Sequence, residues 1–140
     1  MRVFFDTNIL LDIALRRPNF VDESLKAVER CQKQGGECWI SWHTIANLSY
    51  LIEREVDANQ SKEFLKNLLD VFTVASVGHE DATLAFTYDA GDFEDALQIV
   101  SAIACHANII VTRDSKGYSK SPIKVTHPKF FNCKRGSKHL

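Results

Sequence analysis

The sequence predicts an α/β layered fold built on a mainly parallel sheet. Short apolar runs of β character alternate with longer stretches whose apolar residues recur at helical spacing. Most neighbouring runs are separated by such a stretch, which is the connection that parallel strands require. The 140 residues contain no repeat, low-complexity segment or linker, so one domain with its own core is expected.

The first strand is expected over residues 2–6, through Val3-Phe4-Phe5 and ending on Asp6. Residues 7–16 follow as a helix with Ile9, Leu10, Ile13 and Ala14 on one face, broken by Arg17-Pro18-Asn19. A second helix covers 21–34, with Leu25, Val28 and Cys31 inward, and Gly35-Gly36 ends it. Cys38-Trp39-Ile40-Ser41 reads as the next strand. Helices are then expected over 42–54, presenting Ile45, Leu48 and Ile52, and over 61–71, presenting Phe64, Leu65 and Leu68. A strand at 72–77, a helix at 80–88 and a helix at 92–106 come next, the last burying Ala96, Leu97, Ile99, Val100 and Ile103. Strands at 108–112 and 123–126 bring the sheet to five. The domain is expected to span 1–128, and 129–140 forms a basic tail. Trp39, Trp42, Phe64, Phe72, Phe86 and Phe93 fit core positions.

Composition narrows the function classes. Hydrophobic content of 45% and charged content of 25% are ordinary for a globular protein. No apolar stretch approaches the roughly 20 residues of a membrane span, and Asp6 and Asp12 interrupt the N-terminal segment, unlike a signal peptide. A cytoplasmic protein with no membrane contact is the expectation. The four cysteines show no CxxC pair and no zinc-type spacing with histidine, so they read as buried thiols. Charge is uneven: residues 1–112 carry 9 Lys/Arg against 17 Asp/Glu, whereas 113–140 carry 8 Lys/Arg against Asp114 alone. Such a basic end suits a polyanion, or else is a solvated tail.

Three acids stand where strands or helices meet one sheet edge. Asp6 closes the first strand, Asp114 follows Ile109-Ile110-Val111-Thr112-Arg113, and Asp95 lies in the first turn of the helix that Asp92 opens. In parallel sheets, ligands sit outside the carboxyl ends of the strands. Each acid alone also has a local role, Asp6 and Asp92 as helix caps, Asp95 in the helix dipole and Asp114 in a turn. Together they form a like-charged cluster that repels itself without a cation, and hard oxygen ligands suit Mg²⁺ or Mn²⁺. Glu94 is expected to face solvent. No Ser-His-Asp order, Gly-rich phosphate loop or Cys-His pair appears.

Phe5-Asp6-Thr7-Asn8-Ile9-Leu10-Leu11-Asp12, then Arg16-Arg17-Pro18, then Asp92-Phe93-Glu94-Asp95-Ala96-Leu97-Gln98, then Val111-Thr112-Arg113-Asp114 resemble the PIN-domain family. The likeness is to its short bacterial branch, which includes VapC-type toxin ribonucleases, and it runs from the first strand to the last. The resemblance implies a three-layer α/β/α sandwich and Mg²⁺- or Mn²⁺-dependent endoribonuclease activity on RNA. It also implies homodimers and, in toxin members, an antitoxin partner. Carried over by position, Asp6, Asp95 and Asp114 are the metal-binding, catalytic acids, with Asp92 as an additional ligand through water. Thr7 and Asn8 would orient Asp6 or the water, and Arg113 and Lys116 would meet RNA phosphates. The sequence departs from the pattern once. Where the family usually has T-x-A-E-L, this chain reads Thr44-Ile45-Ala46-Asn47-Leu48, so Asn47 offers an oxygen but no charge. That departure leaves a second reading, a non-catalytic PIN-like RNA-binding or protein-interaction module.

Overall fold

The computed structural model describes residues 1–133. Lys134, Arg135 and Lys138 of the expected basic tail lie outside the described residues. The chain runs β1 (Arg2–Phe5), α1 (Thr7–Ala14), α2 (Val21–Lys33), β2 (Glu37–Ile40), α3 (Trp42–Glu55), α4 (Ala58–Val71), β3 (Phe72–Val74), α5 (His79–Ala85), α6 (Phe93–Ala104), β4 (Ile109–Val111) and β5 (Lys124–Thr126), with 3-10 turns at Ser115–Tyr118 and Pro128–Phe130. All five strands pair in parallel in the order β3-β2-β1-β4-β5.

Residues alternating along the strands fill a core on each face of this sheet. Val3 and Phe5 of β1, with Ile109 and Val111 of β4, face a core that also holds Leu10, Val28, Leu48 and Leu68 from α1, α2, α3 and α4. Phe4 and Ile110 point the other way, into a core shared with Ile99 and Ala102 of α6. Both faces of the sheet are therefore covered, giving the three-layer sandwich. No helix among the described residues is long and apolar enough to cross a membrane.

Element boundaries shift where side chains take over the backbone's hydrogen bonds. The helix expected from 61 begins at Ala58, because the Asp57 carboxylate accepts from the Gln60 amide at 2.7 Å and caps it. The strand expected over 72–77 stops at Val74, where β2 ends as its partner. Leu25, expected inward, is 39% exposed, since Ser24 and Ala27 occupy the buried positions of α2. Trp42 and Phe86, expected in the core, are 70% and 77% exposed, and Phe86 instead stacks on Phe93 with ring centroids 4.5 Å apart. Phe131, within the expected tail, is buried against Phe5, and Cys133 is buried beside it in the same core.

Candidate active site

The chain leaves β1 toward β2 and β3, then returns to β4 on the other side of β1. This reversal creates a crevice at the carboxyl ends of β1 and β4. Phe5 is in register with Val111, and the Asp6 amide donates to the Val111 carbonyl at 3.0 Å, so the ladder ends at Asp6. Asp6 lies directly past β1, and Asp114 lies just beyond β4.

Asp6 is nearly buried, and its carboxylate is held from several sides. The Thr7 amide (2.7 Å) and Gln98 Nε2 (2.9 Å) donate to Oδ1. The Thr112 hydroxyl (2.7 Å) and Asn8 Nδ2 (3.4 Å) donate to Oδ2. The Thr7 bond caps α1, so the local role expected of Asp6 and a place in the site coexist. Behind it, Thr7 and Thr44 share a hydroxyl contact of 2.7 Å, and Thr44 another of 2.8 Å with Ser41. Held from several sides in this way, the Asp6 side chain stays fixed in position.

Asp92 caps α6, its carboxylate accepting from the Asp95 amide at 2.8 Å. Asp95 one turn in projects its carboxylate toward two glycines. A Cβ at Gly117 would stand 2.3 Å from Asp95 Oδ2 and 3.5 Å from Asp114 Oδ2, and one at Gly91 would stand 2.6 Å from Asp95 Oδ2. The Gly91 amide also donates to the Gly117 carbonyl at 3.1 Å, drawing the loop before α6 against the turn after β4. Burial, then the charges of Asp92, Asp6 and Asp114, push the Asp95 carboxyl up to about 6. The acids therefore sense one another.

Asp6, Thr7, Asn8, Asn47, Asp92, Glu94, Asp95 and Asp114 line one pocket of about 380 Å³ with Leu11 and Leu51. The fold thus gathers all four aspartates singled out in the sequence, together with Asn47. Glu94 is exposed, as expected, and its carboxylate also lines the pocket and accepts from Asn47 Nδ2 at 2.5 Å. Arg113 is also otherwise engaged. Its guanidinium donates twice to the buried Asp12 carboxylate, at 2.7 and 3.0 Å, and stacks 4.0 Å over Phe20. It braces the strand end and does not line the pocket. Lys116 is exposed in the turn beyond Asp114.

Sequence reasoning missed Gln98, Thr112 and Tyr118. The only signal the sequence offers for Gln98 is a polar residue among the mostly apolar inward positions of α6. The Tyr118 hydroxyl is buried and has no hydrogen-bond partner, as is Gln98 Oε1. Burial, then the charges of Asp6 and Asp95, push the Tyr118 phenol well above its usual range, which puts the hydroxyl on the acids' side.

The pocket's charged donors are all carboxylate oxygens, the set that hard divalent cations take and soft metals do not. Among the described residues, no three His, Cys, Asp or Glu side chains are already arranged to hold an ion. The donor chemistry and the orphaned Tyr118 hydroxyl fit such a cation, with side-chain rotation needed to close around it.

A family model described as PIN domain matches residues 2–116. No curated protein matches the chain. Solved structures share the fold. A chain in the structure of VapBC2 from Rickettsia felis, bound to a promoter DNA fragment, superposes with a TM-score of 0.68 at 21% identity, covering 91% of this chain and 98% of that one. A chain of a toxin–antitoxin complex from Klebsiella pneumoniae gives 0.67 at 21% identity, over 90% and 97%. VapC20 of Mycobacterium tuberculosis, a toxin that cleaves the sarcin–ricin loop, gives 0.63 at 12% identity, over 77% and 86%.

Proposed function

The chain belongs to the PIN-domain family, and from that premise we propose that it is a divalent-metal-dependent endoribonuclease, acting as the toxin of a toxin–antitoxin pair. One observation carries the reading: Asp6 from the end of β1, Asp95 from the start of α6 and Asp114 from beyond β4 line a single pocket at the strand reversal. Asp6, Asp95 and Asp114 would hold Mg²⁺ or Mn²⁺, with Asp92 reaching it through water. Such an ion supplies a polarised phosphate oxygen and a more acidic water.

The remaining work falls to this chain's own groups. Thr7, Asn8, Thr112 and Gln98 fix the Asp6 carboxylate, so one oxygen position is set before RNA arrives. The raised pKa of Asp95 reflects burial first and then repulsion from Asp92, Asp6 and Asp114, both of which a bound cation would offset. Lys116, exposed two residues after the pocket's Asp114, would meet a neighbouring phosphate, whereas Arg113 serves Asp12. The partners proposed are RNA, an antitoxin that covers the pocket and a second copy of the chain, in the cytoplasm.

The test is cleavage of labelled RNA with Mn²⁺ by wild type, Asp6→Asn and Asp95→Asn. Cleavage by wild type and its loss in both variants is the expected result; cleavage retained in both would rule the pocket out as the active site. The neutral amide of Asn47 favours the second reading, a non-catalytic RNA-binding or protein-interaction module. RNA retention without cleavage in any variant would select it.

A further inference from the structure

Glu94 is exposed, yet its carboxylate is drawn across the mouth of the pocket from α6 to α3. Forty-seven positions separate it from Asn47, so the fold, not local sequence, makes this contact. The amide hydrogen occupies one carboxylate oxygen and leaves the other to accept a further partner. A carboxylate at position 47 would instead stand against Glu94 and push it away.

Stability alone does not account for this placement. A hydrogen bond at an exposed site adds little, because water competes for both partners. Against it stands the repulsion of a further anion beside Asp92, Asp95 and Asp114, which line the same pocket. A second observation lies on the inner side. The Tyr118 hydroxyl, 2% exposed and without a partner, belongs to the turn whose Gly117 packs against the Asp95 and Asp114 carboxylates.

We propose that Glu94, held by the Asn47 amide, is a further carboxylate ligand of the divalent cation bound by this pocket. The inference rests on the proposed metal-dependent reading of the same site. In this arrangement Asn47 is a positioning residue: it donates to the acid and so restores from α6 a negative charge that α3 does not supply.

The experiment is titration of metal-free protein with Mn²⁺ alone, by calorimetry, for wild type, Asp6→Asn, Glu94→Gln, Glu94→Asp and Asn47→Ala. Unchanged melting temperatures without metal verify that each variant is folded. Glu94→Gln and Glu94→Asp are both expected to weaken binding about tenfold or more, and Asn47→Ala by a smaller factor, as loss of a supporting group does. Glu94→Asp separates ligation from charge, because it keeps the anion and shortens its reach. Wild-type affinity in Glu94→Asp with weakened binding in Glu94→Gln would reduce Glu94 to a diffuse charge and overturn the proposal. Wild-type affinity in both, with binding lost in Asp6→Asn, would overturn it and leave the metal site standing. Absence of Mn²⁺ binding in wild type would overturn both.

Discussion

The two ends of the sheet use glycine for opposite purposes. At the amino ends of β1 and β2, Gly36 leaves room for sulfur: a Cβ there would stand 2.8 Å from Cys31 Sγ and 2.9 Å from Cys133 Sγ. Cys38 donates to Cys31, which lowers the Cys31 thiol while burial opposes it. The groups are weakly polar, nearly fully buried and set in an apolar core. At the carboxyl ends, Gly117 and Gly91 leave room for the Asp95 carboxylate. There, like charges are crowded and a buried hydroxyl has no partner. One end of the fold maximises close packing, while the other holds groups together that stay apart unless something of opposite charge joins them.

Three substitutions test the contrast, from the largest stability effect to the smallest. Gly36→Ala places its methyl against two sulfurs and the Cys31 carbonyl, so it should destabilise by about 2 kcal/mol in thermal or urea unfolding. Pairing it with Cys133→Ala should recover part of that loss; no recovery would mean the thiol cluster does not limit the packing. Asp95→Asn should act in the opposite direction. A carboxyl raised to about 6 in the folded chain binds its proton more tightly there than when unfolded. Stability of the metal-free protein therefore falls as pH rises from about 4 to about 6, and the penalty persists above that. The amide should stabilise by on the order of 1 kcal/mol at pH 8, after discounting for solvent screening, and by nothing near pH 3. Equal effects at both pH values would remove the charge argument. Gly117→Ala should shift stability by less than about 0.5 kcal/mol, because the Asp95 side chain can swing aside. It should nevertheless weaken Mn²⁺ binding, and a large stability loss with unchanged affinity would make the two ends alike.

The sequence made the layered fold legible because most strands are short apolar runs and nearly every crossover is a periodic helix. The topology then did the rest for Asp6 and Asp114, since residues just past adjacent parallel strands must meet at one edge. What remained hidden depended on contacts between distant positions. Arg113 reads as a cation beside an acid, yet its partner Asp12 lies 101 residues away, buried and also bonded to Ser24. Glu94 sits at an outward position of α6, and helical phase cannot tell that a long side chain folds back over a groove. Trp42 and Phe86 carry the apolar signature of a core but fall at element ends, where periodicity no longer dictates which side is covered. Gln98 was visible as a misfit, and its partner Asp6 was not.

The last described turn has a practical side. After β5 the chain passes Phe131 against Phe5 and reaches Cys133 beside Gly36, where the Met1 carbonyl also bonds the Glu37 amide. Both ends of the described backbone thus emerge together, on the side remote from the aspartates. A tag, fluorophore or surface tether attached through Met1 would leave the acidic mouth pointing away from its anchor and open to macromolecules approaching from solution.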